Sequence, residues 1–357
     1  MEKMNNKNNI DLKLIKKNFW VGKHTLIYSN SNKHFNSPLG KLPHYMINYL
    51  EKFGWKKINL DDFQYPIFSF MTRKSGDFEL HSQFPLIRQF PLQITDQLDD
   101  KLLMTINMKN NNLNNTIPET FCKMSEFEEY LNYKKIKDNQ VLFFIKHKWG
   151  VKGKSVTPSS NISQIKKKFK ENQHIIQIEV KPMLLNKRKF VIRSHVLLKY
   201  NPDSSKEHIQ MYIHKNCIVL EHSLEYDANI SNPAIHISSL GKSGSHPTPY
   251  LLTSSLYEES FPQMKKIAGE TLSIISKFIE NEKINSYLYH LFGYDFIIRD
   301  DGIVVLLEVN SYPALGNGTM SKVPKFIFEE ILKDFLNLTV LPITEGIDAA
   351  CGGFIFI

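Results

Sequence analysis

Residues 291–315, LFGYDFIIRDDGIVVLLEVNSYPAL, carry the clearest structural pattern in the chain. Two apolar runs, residues 294–298 and 303–309, flank the dipeptide Asp301-Gly302. An Asp-Gly pair between two such runs predicts a β-hairpin, because a type I′ turn needs positive φ at both central residues. We therefore expect a tight two-residue turn at this dipeptide.

Counting outward from this turn places Asp295 directly opposite Glu308 on the facing strand. Nearer the turn, the same count pairs Ile298 with Val305. Asn310 lies two residues beyond Glu308, so its side chain points to the same face of the hairpin. The hairpin is thus expected to present two carboxylates and an amide together.

Two directly opposed carboxylates have Cβ atoms only ~5 Å apart and repel one another. Burial between apolar strands would raise their pKa values, and a bound cation would relieve the conflict. Hard oxygen ligands at this spacing suit Mg²⁺. The alternative is an edge hairpin whose acids face water, and a one-residue slip would place them on opposite faces.

Composition is that of a folded protein: 357 residues, 42% hydrophobic and 23% charged. This length allows two or three small domains with cores of their own. The net charge of +9 favours an acidic partner, such as nucleic acid, anionic lipid, nucleotide or acidic polypeptide, without choosing among them.

Cys122, Cys217 and Cys351 are far apart and form no CxxC pair, so neither a disulfide scaffold nor a zinc site is expected. No apolar run approaches the ~18 residues of a membrane span. The first 17 residues lack the apolar centre of a signal peptide. These features predict a cytoplasmic location.

Residues 141–146, VLFFIK, predict a buried strand that leads into a basic loop ending near Ser155. Gly150 and Gly153 make this loop pliable, and glycine lets backbone amides approach anionic oxygens. A phosphate-covering loop is one interpretation, although the spacing is not that of a Walker A loop. A solvated basic loop is the other.

Residues 187–198 predict another strand. Its period of two places Lys189, Val191, Arg193 and His195 on one face. Burying Lys and Arg without partners is costly, so this face either meets water or holds an anion.

Amphipathic helices are predicted after Pro262 and after Pro324, and a shorter helix is predicted to begin at Pro43. Further strands are predicted at residues 25–29, 174–180, 211–220 and 234–238. Helices layered on strands predict an α+β fold with α/β layers.

Three ordered segments resemble the tubulin tyrosine ligase family. They are IQIEVKPMLLNKRKFVIR (residues 176–193), AIHISS (234–239) and LFGYDFIIRDDGIVVLLEVN (291–310). Weaker likenesses are FGWKKI (53–58), IPETF (117–121) and IKHKWGVKGKSV (145–156). Together they cover nearly the whole chain in the family's order. The resemblance implies an ATP-grasp fold, in which ATP lies between two α+β domains.

The implied organisation has four parts. Residues 1–70 would form a small N-terminal α/β domain, and residues 71–185 the central ATP-grasp subdomain. Residues 186–345 would form the C-terminal ATP-grasp subdomain that carries the metal site, and residues 346–357 would be a tail.

The resemblance also implies roles for residues of the nucleotide site. Lys146 would contact the ATP phosphates, and Lys154 lies in the loop that would cover them. Gln177 would bind adenine, with the backbone of Glu179 and Val180 beside it.

Further roles follow from the same resemblance. Lys189 and Arg193 would act in catalysis and cofactor binding by neutralising phosphate and substrate carboxylate charge. His236 and Ser238 match the family's His-Leu-Thr-Asn segment, with Ser239 at its Asn. Asp295, Glu308 and Asn310 would hold Mg²⁺, in agreement with the hairpin count.

The implied reaction joins a free amino acid, tyrosine or glutamate, to a carboxylate of an acidic protein tail, most simply that of tubulin. ATP would convert the acceptor to an acylphosphate, which the incoming amine then attacks. The expected cofactors are ATP and Mg²⁺, and the expected state is a monomer that binds neither nucleic acid nor membrane.

The chain departs from the family pattern at three positions. Val191 stands where the family has Asp in Lys-Phe-Asp-Ile-Arg, and the family's Arg falls near Leu220, although Lys215 is close by. His147 follows Lys146 where the family has Pro. A catalytically inactive binding module is therefore the alternative, and the lysine-rich residues 165–171, IKKKFKE, leave nucleic-acid binding as a third hypothesis.

Overall fold

The computed structural model describes residues 18–21, 41–54, 56–57, 68–70, 87–150, 155–204, 207–228, 231–237, 247–280, 284, 286–315, 320 and 322–357. The strand predicted at residues 25–29 and the site candidates Lys154 and Ser238 lie outside these ranges.

Runs of strands are separated by one or two helices along the chain. The strands are β1 (Asn18–Val21), β2 (Lys56–Lys57), β3 (Phe68–Phe70), β4 (Ile87–Gln89), β5 (Thr120–Phe121), β6 (Phe143–His147), β7 (Val156–Ser159), β8 (His174–Ile178), β9 (Phe190–Tyr200), β10 (Ile209–His214), β11 (Ile218–Glu221), β12 (Tyr250–Leu251), β13 (Tyr287–Ile298), β14 (Val304–Asn310) and β15 (Phe354–Phe356). The helices are α1 (Lys41–Glu51), α2 (Leu92–Asp99), α3 (Lys101–Asn110), α4 (Met124–Lys134), α5 (Ile162–Lys168), α6 (Pro233–His236), α7 (Ser254–Ile279), α8 (Lys325–Thr339) and α9 (Leu341–Glu345), with a 3₁₀ turn at Asn114–Thr116.

The strands form two sheets. The large sheet runs β12-β11-β9-β13-β4-β3-β1-β2, with β14 on the second half of β13, β10 on the second half of β9, and β15 on β10. The small sheet runs β5-β8-β6-β7 and is antiparallel throughout. A mixed sheet and an antiparallel sheet, both packed with helices, confirm the predicted α+β class.

Both faces of the large sheet are covered because alternate residues of its long strands point to opposite sides. On one face, Phe292 and Phe296 of β13 pack in a core with Met264 of α7. On the other face, Leu291 of β13 packs in a core with Phe328 of α8. Continuing along this second face, β13 reaches Asp295, so the packed core leads directly into the polar site.

The β13–β14 hairpin differs from the prediction in two places. The loop has three residues, because Arg299 and Ile303 close it through an N–H to carbonyl bond of 2.8 Å, and positive φ occurs at Gly302 (+83°) and not at Asp301. Ile298 consequently pairs with Val304 rather than Val305. A β-bulge then restores the predicted register further along.

Three other predictions of local structure are wrong. The strand predicted at residues 234–238 is wrong over its described part, residues 234–237, since Asn232 caps the single helical turn α6, with Pro233 at its start. The helix predicted to begin after Pro262 begins at Ser254 and runs through the proline. The strand predicted at residues 211–220 is divided into β10 and β11 by a turn at residues 215–217.

Cys122, Cys217 and Cys351 are free thiols. Among the described residues, no helix combines the length and the apolar character that crossing a bilayer requires.

The strand pairing leaves no room for a side chain at Gly293. A Cβ at this position would lie 2.8 Å from Cβ of Pro313 and 3.1 Å from Cδ of Arg193. Gly293→Ala should therefore displace Arg193 and destabilise the protein by about 1–3 kcal/mol, as overpacking usually does. Denaturant unfolding would measure this loss.

Gly302→Asn is the matched control for Gly293→Ala. A Cβ at Gly302 meets nothing within 4 Å, and asparagine tolerates its positive φ. Equal stability of the two variants would show that β9 and β13 do not need the glycine.

Candidate functional site

The structure brings the three predicted metal ligands together on the hairpin. Asp295 pairs with Glu308 across β13 and β14, and the bulge inserts Leu307 just before Glu308. The amide nitrogen of Asn310 lies 3.3 Å from Oδ2 of Asp295 and 3.5 Å from Oε1 of Glu308. We call Asp295 and Glu308 the carboxylate pair.

Each member of the carboxylate pair has its own cation. Arg193, opposite Asp295 in the β9–β13 register, donates through both Nε and Nη2, with Nη2 to Oδ2 at 2.8 Å. Nζ of Lys101 lies 3.2 Å from Oε2 of Glu308. Such forked guanidinium contacts are strong and orient both partners. The two like charges can therefore share one enclosed space.

The neighbours drive the two carboxyl pKa values in opposite directions. Burial raises the pKa of Asp295 and the adjacent Glu308 raises it further, against the opposing effect of Arg193. Burial also acts to raise the pKa of Glu308, but the ammonium groups of Lys101 and Lys146 outweigh it and lower the value. Glu308 is thus the more firmly ionised carboxylate, and the better permanent ligand for a cation.

Lys146 and Gln177 face each other from the small sheet. Nζ of Lys146, on β6, donates to Oε1 of Gln177, on β8, at 2.5 Å. Nε2 of Gln177 in turn donates to Oγ1 of Thr120 at 3.2 Å. Burial lowers the pKa of Lys146 to about 8, although the nearby charge of Glu308 opposes the shift. Lys146 is a buried cation held by an amide, which makes it receptive to an anion.

A second cluster centres on Glu179. Its carboxylate lies 3.1 Å from Nζ of Lys189 and 3.2 Å from Nδ1 of His236, and it accepts a bond of 3.2 Å from the hydroxyl of Tyr226. Burial alone would raise the pKa of Glu179, but His236 and Lys189 lower it. Burial lowers the pKa of Lys189 despite Glu179. This contact set links the small sheet to β9 and α6.

A cavity of about 120 Å³ lies between the small sheet and the hairpin. Phe144 and Ile178 line it from the small sheet, and Ile297 and Leu307 line it from the hairpin. Sites that hold a whole ligand usually measure ~300–1,000 Å³. A nucleotide would therefore have to part the charged pairs that cross this space.

Most of the predicted site residues surround this cavity. Lys146, Gln177, Val180, Lys189, His236, Asp295 and Glu308 line it, while Glu179, Arg193 and Asn310 contact residues that do. Lys101, Thr120 and Tyr226 also reach the site but were not predicted. Thr120 lies in the segment 117–121 that resembles the family, whereas Lys101 and Tyr226 lie outside every quoted segment, so only their spatial neighbours identify these two.

The two apolar departures from the family pattern are neighbours. Val191 on β9 pairs directly with Leu220 on β11, and each is less than a tenth exposed. Val191 also lines the cavity. At these two positions the chain thus has a buried apolar pair, which leaves no charge there without a partner.

A second group of potential metal ligands lies at the carboxyl end of β10, away from the cavity. Ligand atoms of His214, Glu330 and Asp334 are within 4.8 Å of one another. Nδ1 of His214 accepts the backbone N–H of Asn216 at 3.1 Å, so Nε2 carries the proton and donates to Asp334 at 3.3 Å. A metal at Nε2 would leave both ring nitrogens of His214 without a proton, whereas a metal-bound histidine usually keeps an N–H at its other ring nitrogen. This cluster instead binds the C-terminal segment, whose Gly353 N–H donates to Asp334 at 2.7 Å.

Comparison with known proteins places these residues in context. The family model described as the tubulin-tyrosine ligase family matches residues 78–241 and 254–347. The chain is 30% identical over 206 residues to tubulin polyglutamylase ttll-4 of Caenorhabditis briggsae, which is 49% of this chain and 32% of that protein. It is 26% identical over 212 residues to tubulin glycylase 3C of Tetrahymena thermophila, which is 51% of this chain and 19% of that protein.

A third relative is tubulin polyglutamylase ttll-4 of Caenorhabditis elegans, 30% identical over 203 residues, or 49% of this chain and 32% of that protein. The match thus spans a third or less of these relatives' length. The family model, in contrast, covers most of this chain, and its second segment includes the carboxylate pair. The chain belongs to the tubulin-tyrosine ligase family.

Proposed function

We propose that this chain is an ATP-dependent ligase that joins a free amino acid to a carboxylate of an acidic protein tail, with tubulin as the first acceptor to test. Family membership and the paired, cation-neutralised carboxylates of the hairpin support the proposal. The observation that carries it is the pairing of Asp295 with Glu308 in a cavity that also holds Lys146.

The hairpin suits a magnesium ion. Asp295 and Glu308 supply carboxylate oxygens, the hard donors that Mg²⁺ prefers beside phosphates. Asn310 would add its amide oxygen after a flip of its amide, because its Nδ2 now faces both carboxylates. Bound there, Mg²⁺ would neutralise phosphate charge. Arg193 and Lys101 now occupy the carboxylates, so both side chains would have to turn toward the phosphates.

The remaining residues would position the reactants. Lys146 would contact the phosphates and Gln177 the adenine, while Lys189 and Arg193 would neutralise charge at the reacting groups. An acceptor carboxylate oxygen would bond to the γ-phosphorus as ADP leaves. The amine nitrogen of the donor would then attack the acyl carbon, release phosphate, and lose its proton as the amide forms.

The two sheets would act as the two walls of an ATP-grasp site. The small sheet contributes Lys146 and Gln177, and the large sheet contributes Arg193 and the carboxylate pair. The domain boundaries at residues 70, 185 and 345, the monomeric state and the cytoplasmic location remain predictions.

The donor is proposed as glutamate, glycine or tyrosine. The resemblance implies glutamate or tyrosine as the donor. Glycine becomes a third candidate because one relative is named as a glycylase, beside the relatives named as polyglutamylases. The net charge of +9 suits a glutamate-rich acceptor, since complementary charge speeds encounter.

A binding module without ligase activity is the second candidate. The apolar pair Val191–Leu220 favours it, because two charged positions of the family pattern are missing from the site face of β9 and β11. This candidate predicts nucleotide binding without ADP release.

Glu308→Gln should abolish ligation, since it removes one of the two proposed metal carboxylates. Purified protein, ATP, Mg²⁺, tubulin and each donor amino acid in turn would be incubated, and ADP release and the mass of the tubulin tails measured. The mass increment would identify the donor, and the modified peptide the acceptor.

Glu128→Gln serves as the control, because its carboxylate pairs with Lys166 on the surface of the small sheet. Circular dichroism would show that both variants fold. Wild-type turnover in Glu308→Gln would exclude it as a ligand, and wild-type protein without ADP release under any pairing would favour the binding module.

Nucleotide affinity should fall as the pH rises above about 8. The pKa of Lys146 is about 8 in the free protein, and a bound phosphate would favour its charged form. Affinity is therefore full below pH 8 and declines by up to about tenfold per pH unit above it. Binding titrations between pH 7 and about 9.5 would test this, with Lys146→Arg, which stays charged, as the control.

A flat pH profile in the wild-type protein, matching that of Lys146→Arg, would show that Lys146 does not contact the nucleotide.

Val191→Asp and Leu220→Arg should be strongly coupled. Val191→Asp alone places a carboxylate on the buried face that already holds Asp295, and should cost about 2–4 kcal/mol of stability. Adding Leu220→Arg on the paired strand should recover at least about 1 kcal/mol of it. Denaturant unfolding of the two single variants and the double variant measures the coupling, and ADP release shows whether the charged pair raises activity.

Additive effects would mean that the two side chains do not interact.

A further inference from the structure

Lys101 connects three separate parts of the site. Its Nζ donates to the carbonyl of Gly150 at 3.0 Å and lies 3.2 Å from Oε2 of Glu308. Its backbone N–H donates to the carbonyl of Lys148 at 3.2 Å. One residue thus joins the start of α3, the segment that follows β6, and the carboxylate pair on the hairpin.

The position of Lys101 is fixed by its own helix. Asp100 caps α3 by accepting the N–H groups of Leu102 and Leu103 at 2.8 and 3.2 Å. Oγ1 of Thr105 donates to the carbonyl of Lys101 at 2.7 Å. A lysine that is 5% exposed has lost most of its rotamer freedom, so it depends on the two oxygens that hold its ammonium group.

We propose that Lys101 is a positioning residue that couples residues 147–150 to the occupancy of the carboxylate pair. Without a divalent ion, Lys101 holds the Gly150 carbonyl beside Glu308. A divalent cation at Glu308 would neutralise its carboxylate and repel the ammonium group of Lys101. The bond from Lys101 to the Gly150 carbonyl would then no longer hold this segment beside the hairpin. The inference rests on the proposed function, because the ion is part of that proposal.

Hydrogen exchange reports this coupling without any turnover. The amides of His147, Lys148 and Gly150 donate to the carbonyls of Ser155, Gln173 and His147, so peptides covering residues 147–150 have protection to lose. In the wild-type protein, Mg²⁺ should speed their exchange by up to roughly tenfold, the range that one charge-assisted hydrogen bond allows. Lys101→Met should show the faster exchange without Mg²⁺ and no further response to the ion.

Four further variants separate this role from simple stabilisation. Lys109→Met, on the same helix and paired with Glu126, should leave residues 147–150 unchanged. Glu308→Gln should reproduce the fast exchange of Lys101→Met, and the double variant should exchange no faster than either. Lys101→Arg keeps the charge and should keep the response to Mg²⁺.

The outcomes distinguish the two proposals. No Mg²⁺ uptake by calorimetry would overturn the metal site of the proposed function. Uptake without any change in residues 147–150, or wild-type exchange in Lys101→Met, would overturn the role of Lys101 alone.

Discussion

The site depends on one electrostatic constraint: two carboxylates oppose each other on paired strands inside the protein. Asp295 and Glu308 would repel one another if nothing lay between or beside them. The fold meets this constraint with cations from two other elements, Arg193 on β9 and Lys101 on α3. The β-hairpin, the neighbouring strand and the helix are therefore tied together by charge as well as by packing.

The same constraint explains the composition of the rest of the cavity. Among the described residues, three carboxylates and four cations, each buried or partly buried, meet there: Asp295, Glu308 and Glu179, with Arg193, Lys101, Lys189 and Lys146. Lys146 is the cation whose hydrogen-bond partner is an amide rather than a carboxylate. The cavity thus carries a positive excess. Lys146 can meet an entering anion without first leaving a carboxylate, although a whole nucleotide must also part the Lys101–Glu308 pair.

The residue count outward from Asp301-Gly302 predicts the pairing of Asp295 with Glu308 correctly, although it contains two errors that cancel. The loop has one residue more than a type I′ turn, and the bulge at Leu307 adds one residue to β14, so Asp295 still meets Glu308. The alternation of apolar and polar residues shows which residues share a face of a strand. It shows neither the length of the loop nor the position of a bulge, and these set the register. The register near the turn, where no compensation occurs, came out wrong.

The local structure or the role of other site residues could not be predicted from the sequence around them. His236 reaches Glu179 from a single helical turn whose capping residue, Asn232, competes with the strand that the apolar pattern favoured. Lys101 looks like any lysine near a helix start until its neighbours are known. The amphipathic helix after Pro324 was predictable because its stripe repeats over four turns, whereas a site residue is defined by contacts with distant segments.

The cost of the buried charges bears on what kind of ligand the cavity takes. Burying an ion pair is often no more favourable than burying apolar side chains of the same volume. Val191 and Leu220 form an apolar pair on neighbouring strands, and both side chains are buried. On the same face of β9, two residues further along, Arg193 and its carboxylate partner remain charged. A protein that used this cavity only for packing, or for an apolar ligand, could have replaced that pair in the same way. Charges kept at such a cost are typical of a site that binds charged groups. The retained pair therefore argues for a charged ligand, which the ligase and the nucleotide-binding module share, and only turnover of that ligand separates the two.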